Sequence, residues 1–505
     1  MGAASWQKEV PVTRSVHLPP GPRLMDAIGH HHAFETAVAD LIDNSIDAEA
    51  RAVLVRFVRE AGPVTSLVLA DDGRGIQESA IDAAMTMGGD RDYDTSSLGH
   101  YGMGLKAASF SQADSLTVLS RDTTGTAVGR RWLLERARTS FECDIVDPSF
   151  ALTVLSRPWG PLRLTTGTVV RWDNVRTFFP TVPDHNVTEA FLQDTIELLI
   201  RHLGLVFHRI LAAGRIQILI DVEDVTTGAT GASFNVVPVD PFGYTRTGHA
   251  GYPKKLTATY HGQPLALECH VWPGRSQVKE FRLGGGRSAE PYQGFYFYRN
   301  DRLVRPGGWN GVHHGDREHQ LARVAMDISD AWACHLRMNP EKSALAADPQ
   351  FTETVGQARS EDGTTFQDFL TDAREAYKQS RKRSKERPRT VAPGKGFHPS
   401  LRRALDEELE YLAGVDPFDI RWKDLDGDSF LEVDREHRTL WLNKRYRVAV
   451  TGYDRGALND APVLKVLLYL LTQEVFKGAW LGPRDKDNIE LWQRVLTAAA
   501  QAELP

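Results

Sequence analysis

Cysteine is scarce in this chain of 505 residues: three thiols, Cys143, Cys269 and Cys334, lie far apart with no CxxC spacing. That argues against a disulfide framework and against a structural zinc site. Long apolar runs are missing as well. The stretch MGAASWQKEVPVTRSVHLPPGPR has no apolar core of the kind a secretory leader needs. The longest apolar run, Val463 to Leu471, is broken by Lys465 and is too short to span a bilayer. A cytoplasmic, reducing compartment without membrane contact is the expectation. A strong excess of one charge is absent too. With 60 Lys+Arg against 66 Asp+Glu the formal net charge is −6, so the whole chain is not an electrostatic nucleic-acid binder, while local basic patches remain compatible with it.

What is present is a globular balance of apolar and charged residues, in a chain long enough for about three domains. Periodicity predicts a helix over 23–50, with Phe34, Val38, Leu41, Ile42 and Ser45 on one buried face. Strands are predicted over 52–58, 65–71, 115–120, 127–134 and 168–172, with a short helix over 79–87 and a helix starting at Leu105. This is an α/β pattern and sets a first domain at 1–180. A helix over 188–204, a strand over 215–222 and two strands around an Asn300–Asp301 turn place a second α/β domain at 181–350. Residues 351–398 read as helix followed by a basic linker ending at Pro393–Gly394. Residues 399–505 read as a smaller α+β domain of unassigned role, whose helix 462–477 is apolar nearly all round and is expected in its core.

Three segments share one chemistry. In AVADLIDNSIDA (37–48), Asp40, Asn44 and Asp47 sit at i, i+4 and i+7, so one helical face carries a polar row. A carboxamide there can ligate magnesium through its oxygen, and a carboxylate one turn earlier can orient a water for attack on a phosphate. A solvated helix face is the plain alternative. In LADDGRGI (69–76), Asp71 ends a strand as an acceptor able to take an adenine amino proton, and Gly73 and Gly75 leave room for a planar ring. In LGHYGMGLKAAS (98–109), Gly99, Gly102 and Gly104 precede a helix whose N-terminal amides can cradle phosphate oxygens, with Lys106 as a cation. No GK[ST] follows, so this is not a Walker loop.

In this order, DNSIDA, DDGRGI and GHYGMGLKAAS resemble the N, G1 and G2 boxes of the GHKL ATPases (gyrase, heat-shock chaperone, histidine kinase, MutL), and TTGTVVRW (165–172) resembles their following GT-strand. The resemblance covers residues 30–175 and implies a Bergerat-type ATP-binding α/β sandwich. It implies Mg2+ on Asn44, adenine on Asp71, and Thr168 holding that aspartate and its water. ATP phosphates would lie along Gly99, Tyr101, Gly102, Met103, Gly104, Leu105 and Lys106, in a mobile lid over 88–106. Hydrolysing members carry Glu four residues before the motif asparagine. Asp40 stands there, one methylene shorter, and a misplacement of about 1 Å can cost on the order of a hundredfold in rate. Asp40 as base with slow ATP hydrolysis is the expectation.

Only about 30 residues precede the first box, too few for the dimerisation helices of a histidine kinase. GFYFYRNDRLVRPGGW (294–309) resembles a strand–turn–strand of the transducer domains, ribosomal-protein-like in fold, of MORC-like and MutL-like proteins. In HLRMNPEKSAL (335–345), Lys342 matches the lysine that reaches the γ-phosphate in those families, with two residues inserted after Asn339; the alternative is a surface lysine in a loop. The layout implies an ATP-gated homodimeric clamp, in DNA-related processes or defence. An ATP-sensing switch and a chaperone-like clamp are the alternatives. The run containing Lys378, Arg381, Lys382 and Arg383 could grip DNA or RNA phosphates, or be a solvated helix end.

Overall fold

The computed structural model describes residues 32–60, 62–87, 104–178, 185–283, 288–333, 335–338, 345–382, 389–452, 456–478 and 482–503. They divide into two compact units. The first draws on Met1–Pro238, Arg299–Val304 and Met338–Ala344; the second draws on Val239–Tyr298, Arg305–Arg337 and Leu345–Pro505.

The first unit is built on one sheet: β1 (Ala52–Arg59), β2 (Val64–Asp71), β3 (Ser115–Arg121), β4 (Ala127–Leu133), β5 (Asp144–Ile145), β6 (Gly167–Asp173), β7 (Gln217–Asp224), β8 (Ala229–Thr230) and β9 (Phe234–Asn235). The order is β5-β4-β3-β6-β2-β1-β7-β8, with β9 also on β7; β1 and β7 run parallel and the other pairs antiparallel. Its longer helices are α1 (Phe34–Asp47), α2 (Glu78–Met85), α3 (Gly104–Gln112), α4 (Leu134–Thr139), α5 (Pro148–Ser156) and α6 (His185–Val206), and a short one follows over His208–Ala212.

One face of the sheet packs on α1, where Val38, Leu41 and Ile42 are fully buried as their spacing predicts. Each such aliphatic side chain contributes about 1.5–3 kcal/mol of burial. The Phe178 ring meets Phe34 and Phe57 edge-on, with centroids 5.6 Å apart in both pairs. Leu54, Val68, Leu119 and Val169 on the other face are covered by Leu155 of α5 and by Trp159. Burial on both faces explains why the strands are apolar runs, without clean alternation. The predicted α/β sandwich is therefore present.

Strand β7, expected in the second domain, lies in this sheet. A parallel neighbour needs a crossover, and α6 precedes β7 in the chain. Buried Arg56 on β1 ties the pair, donating from Nε and Nη2 to the two oxygens of Asp221 at 2.7 Å each and from Nη1 to Glu223 at 2.9 Å.

A second sheet, drawn mostly from second-unit residues, holds strands β10 (Lys254–Tyr260), β11 (Gln263–Val271), β12 (Gly294–Arg299), β13 (Arg302–Pro306) and β14 (Ala322–Asp327) in the order β10-β11-β14-β12-β13; residues 299–304 of its hairpin belong to the first unit. The turn from β12 to β13 is Asn300–Asp301, as predicted, with φ of 48° and 64°. Paired positive φ values suit the tight hairpin turn that Asn and Asp tolerate. Helices α7 (Pro349–Gln357) and α8 (Phe366–Lys382) cover the core of this sheet.

Residues 399–503 contribute α9 (Pro399–Glu408), a three-stranded sheet of β15 (Asp419–Lys423), β16 (Leu431–Asp434) and β17 (Thr439–Asn443), then α10 (Pro462–Thr472) and α11 (Pro483–Ala502). They fall in the same unit as 239–298, and Glu407 accepts from the Thr245 N–H at 3.0 Å. The apolar stretch contributes to the core of this block, as expected, with one side left exposed. Leu468 and Tyr469 face the core, while Val463 and Leu467 are 71% and 59% exposed. Among the described residues no helix is long and apolar enough to cross a membrane.

Candidate functional site

Asp71 sits at the end of β2, opposite Thr168 on β6, and is 3% exposed. Its Oδ2 accepts from the Ser45 hydroxyl and its Oδ1 from the Gly73 N–H, both at 3.0 Å. Burial pushes its pKa up to about 6, against the pull of the Gly73 N–H, the Ser45 hydroxyl and the Thr168 backbone. A buried carboxylate is costly unless its acceptor capacity is used. Two fixed donors position it, and two carboxylate oxygens retain capacity for another.

Around it the polar contacts form a chain. The Ser120 hydroxyl meets the Gly167 carbonyl at 3.0 Å and the Thr168 hydroxyl at 2.9 Å, and accepts from the Ile76 N–H at 2.8 Å. With its one proton directed to the Gly167 carbonyl, Ser120 accepts from Thr168, which leaves lone pairs on the threonine oxygen. Gly75 has φ +73°, and a Cβ there would lie 2.2 Å from the Arg121 carbonyl oxygen. A Cβ on Gly73 would lie 2.9 Å from Ala48 and from the Asp71 carboxylate. On the side where a Cβ would stand, both glycines pack the chain against itself.

On α1 the predicted row is only partly solvated. Asn44 is exposed, whereas Asp40 and Asp43 are 6% and 3% exposed. Asn44 donates from Nδ2 to the Asp40 backbone carbonyl at 2.9 Å, which turns its side-chain oxygen away from that contact. A Mg2+ ion uses few protein ligands when phosphates and water complete its shell, and one exposed carboxamide fits that donor set. The two buried carboxylates share Arg302, which donates from Nε to Asp43 at 2.6 Å and from Nη2 to Asp40 at 3.3 Å. His32 Nδ1 lies 4.0 Å from Asp40.

Lys106 follows the glycine segment at the start of α3. It is 5% exposed, and its ammonium donates to the Ala84 carbonyl in the last turn of α2 at 2.9 Å. A cation there satisfies a helix-end carbonyl, the role of basic groups at C-termini. Gly104 opens α3 on the surface and Leu105 packs against the core. Gly99, Tyr101, Gly102, Met103, Lys342 and Arg383 lie outside the described residues. Lys378 pairs with Glu318 at 3.3 Å, and the Arg381 guanidinium lies 5.0 Å from the Tyr377 ring centroid.

Sequence reasoning missed Ser45, Ser120, Asp43 and Arg302. A serine on the buried face of α1 was itself a signal, because a buried hydroxyl needs a partner. Nothing local marks Arg302, which is 262 positions from Asp40 in the chain.

Residues 32–149 match the family of histidine kinase-, DNA gyrase B- and HSP90-like ATPases. A solved structure described as the N-terminal domain of a DNA repair protein covers 72% of this chain and 99% of its own, at 14% identity and a TM-score of 0.39. No curated protein matches the chain. The match, the α/β sandwich and the ordered motifs agree: the chain carries a GHKL-type ATPase domain.

Proposed function

We propose that this protein binds ATP with Mg2+ at the Asp71 and Asn44 positions and hydrolyses it slowly. The observation that carries the reading is the buried Asp71 carboxylate, fixed by Ser45 and Gly73 beside Thr168, with exposed Asn44 one residue from Ser45 on α1. Asp71 accepts the adenine amino group, and Thr168 supports the water beside it. Asn44 supplies the oxygen for the metal, whose charge stabilises the phosphates when bound. Amides of the glycine segment ending at Gly104 hold phosphate oxygens, together with Tyr101, Met103 and Leu105.

Asp40 acts as the base that takes a proton from the attacking water. Arg302 fixes the orientation of its carboxylate. The shorter aspartate and its ion pair support slow turnover. Lys342 supplies a cation to the γ-phosphate.

The transducer-like segment supports a MORC-like or MutL-like layout, in which ATP closes a homodimeric clamp acting on DNA. A second reading, an ATP-sensing switch with little hydrolysis, is favoured by the Asp40–Arg302 pair. Phosphate release by wild type and Asp40→Ala separates the two. A rate at least about tenfold above the variant supports hydrolysis with Asp40 as base; equal background rates support the switch. Light scattering with a non-hydrolysable ATP analogue tests the clamp, and an unchanged monomer mass contradicts it.

A further inference from the structure

A cavity of about 630 Å³ opens in the second unit, within the size range of ligand sites. Four arginines from separate segments line it: Arg275 after β11, Arg282 in the turn Lys279–Arg282, Arg317 in the turn Arg317–His319, and Arg381 in the last turn of α8. Glu290 is the one carboxylate in the lining. Arg275 has Glu410 at 3.8 Å, but among the described residues no carboxylate pairs with Arg282, Arg317 or Arg381. The wall is tightly built, since a Cβ on Gly274 would come 2.1 Å from the Ser380 Cβ. Like charges gathered in a concave space repel one another and focus an attractive potential for an anion. Guanidinium forks match phosphate geometry better than that of any spherical anion.

We propose that this cavity binds neighbouring phosphate groups, as carried by a nucleic-acid backbone or by the phosphate chain of a small molecule. The site is separate from the nucleotide site of the ATPase domain. Arg282 and Arg317 make the phosphate contacts, and Arg381 adds a third cation from the ring of Tyr377.

The test uses the full chain and a fluorescent oligothymidylate of about 20 nucleotides, followed by anisotropy across a salt series. The double variant Arg282→Gln with Arg317→Gln is expected to bind about tenfold more weakly, and to flatten the logarithmic salt slope by about 1.4. The control Arg484→Gln with Lys486→Gln removes the same charge from the exposed start of α11 and is expected to change affinity less than about twofold. Asp71→Asn is expected to leave oligonucleotide binding intact. Equal weakening by the cavity pair and the control pair, loss of binding in Asp71→Asn, or binding of neither oligothymidylate nor tripolyphosphate by wild type overturns the proposal. Competition with tripolyphosphate then identifies the source. Displacement shows that a free phosphate chain suffices, and resistance to displacement assigns the cavity to a nucleic-acid backbone.

Discussion

The acidic face of α1 and the cavity of the second unit handle charge in opposite ways. On α1 two carboxylates are buried and share one guanidinium, so opposite charges close on each other. In the cavity four guanidinium groups surround open space with one carboxylate in the lining. A closed cluster is part of the structure's stability, and removing its centre leaves buried charge behind. An open cluster of like charge is held together by the rest of the fold, and removing a member relieves repulsion. Similar residue types thus lead to different expectations about mutation.

Substitution of Arg302 is expected to have the largest effect. Arg302→Ala removes the guanidinium that Asp40 and Asp43 share, a loss of about 3–5 kcal/mol in chemical unfolding. Arg302→Lys retains the charge and loses the fork, and is expected to recover part of that loss. A melting curve for Arg302→Ala unchanged from wild type would erase the distinction between the closed and open clusters.

Next in size is Gly75→Ala. Its φ of +73° and the Arg121 carbonyl at 2.2 Å from an added Cβ predict a destabilisation of about 2–4 kcal/mol, read from the same unfolding assay. A variant as stable as wild type would show that the turn beside Asp71 has room to spare.

The pH dependence of nucleotide binding is smaller. The Asp71 carboxyl titrates near 6 because it is buried, so ATP affinity should fall about tenfold per pH unit below that point. The sign for stability is the reverse. The native carboxyl takes up its proton more readily than an unfolded aspartate with a value of 3.8, so this group favours the native state at low pH and loses that contribution as pH rises from about 4 to 6. Affinity flat between pH 5 and 7 would contradict a role for the ionised carboxylate.

Smallest is the response of stability to the cavity arginines. Arg282→Gln and Arg317→Gln should each change stability by no more than about 0.5 kcal/mol, in contrast to Arg302→Ala. A loss comparable to that of Arg302→Ala would make the cavity a structural cluster.

The contrast also marks where sequence was informative. The helix through Leu41 and Ile42, the strands ending in Asp71 and carrying Thr168, and the Asn300–Asp301 turn were legible because each depends on local periodicity or local turn chemistry. Local rules could not locate β7, whose place in the first sheet depends on a parallel crossover and on the Arg56–Asp221 pair. They could not find Arg302, because an ion pair across 262 positions leaves no local pattern. They left Lys106 open, because a lysine after a glycine turn is chemically suited both to a phosphate and to a helix-end carbonyl, and the fold places it against the Ala84 carbonyl. For the helix α10 a nearly uniform apolar surface placed it in the core without saying which side finds a partner.

The central claim is that Asp71 anchors a purine nucleotide in the first unit. Calorimetric titration of wild type and Asp71→Asn with Mg2+ and a non-hydrolysable ATP analogue at pH 7.5 tests it directly. Wild type should bind with one site per chain, and the variant should bind about ten- to a hundredfold more weakly, because it gives up a charged acceptor. Equal affinity in the two proteins, or no heat in either, would contradict it.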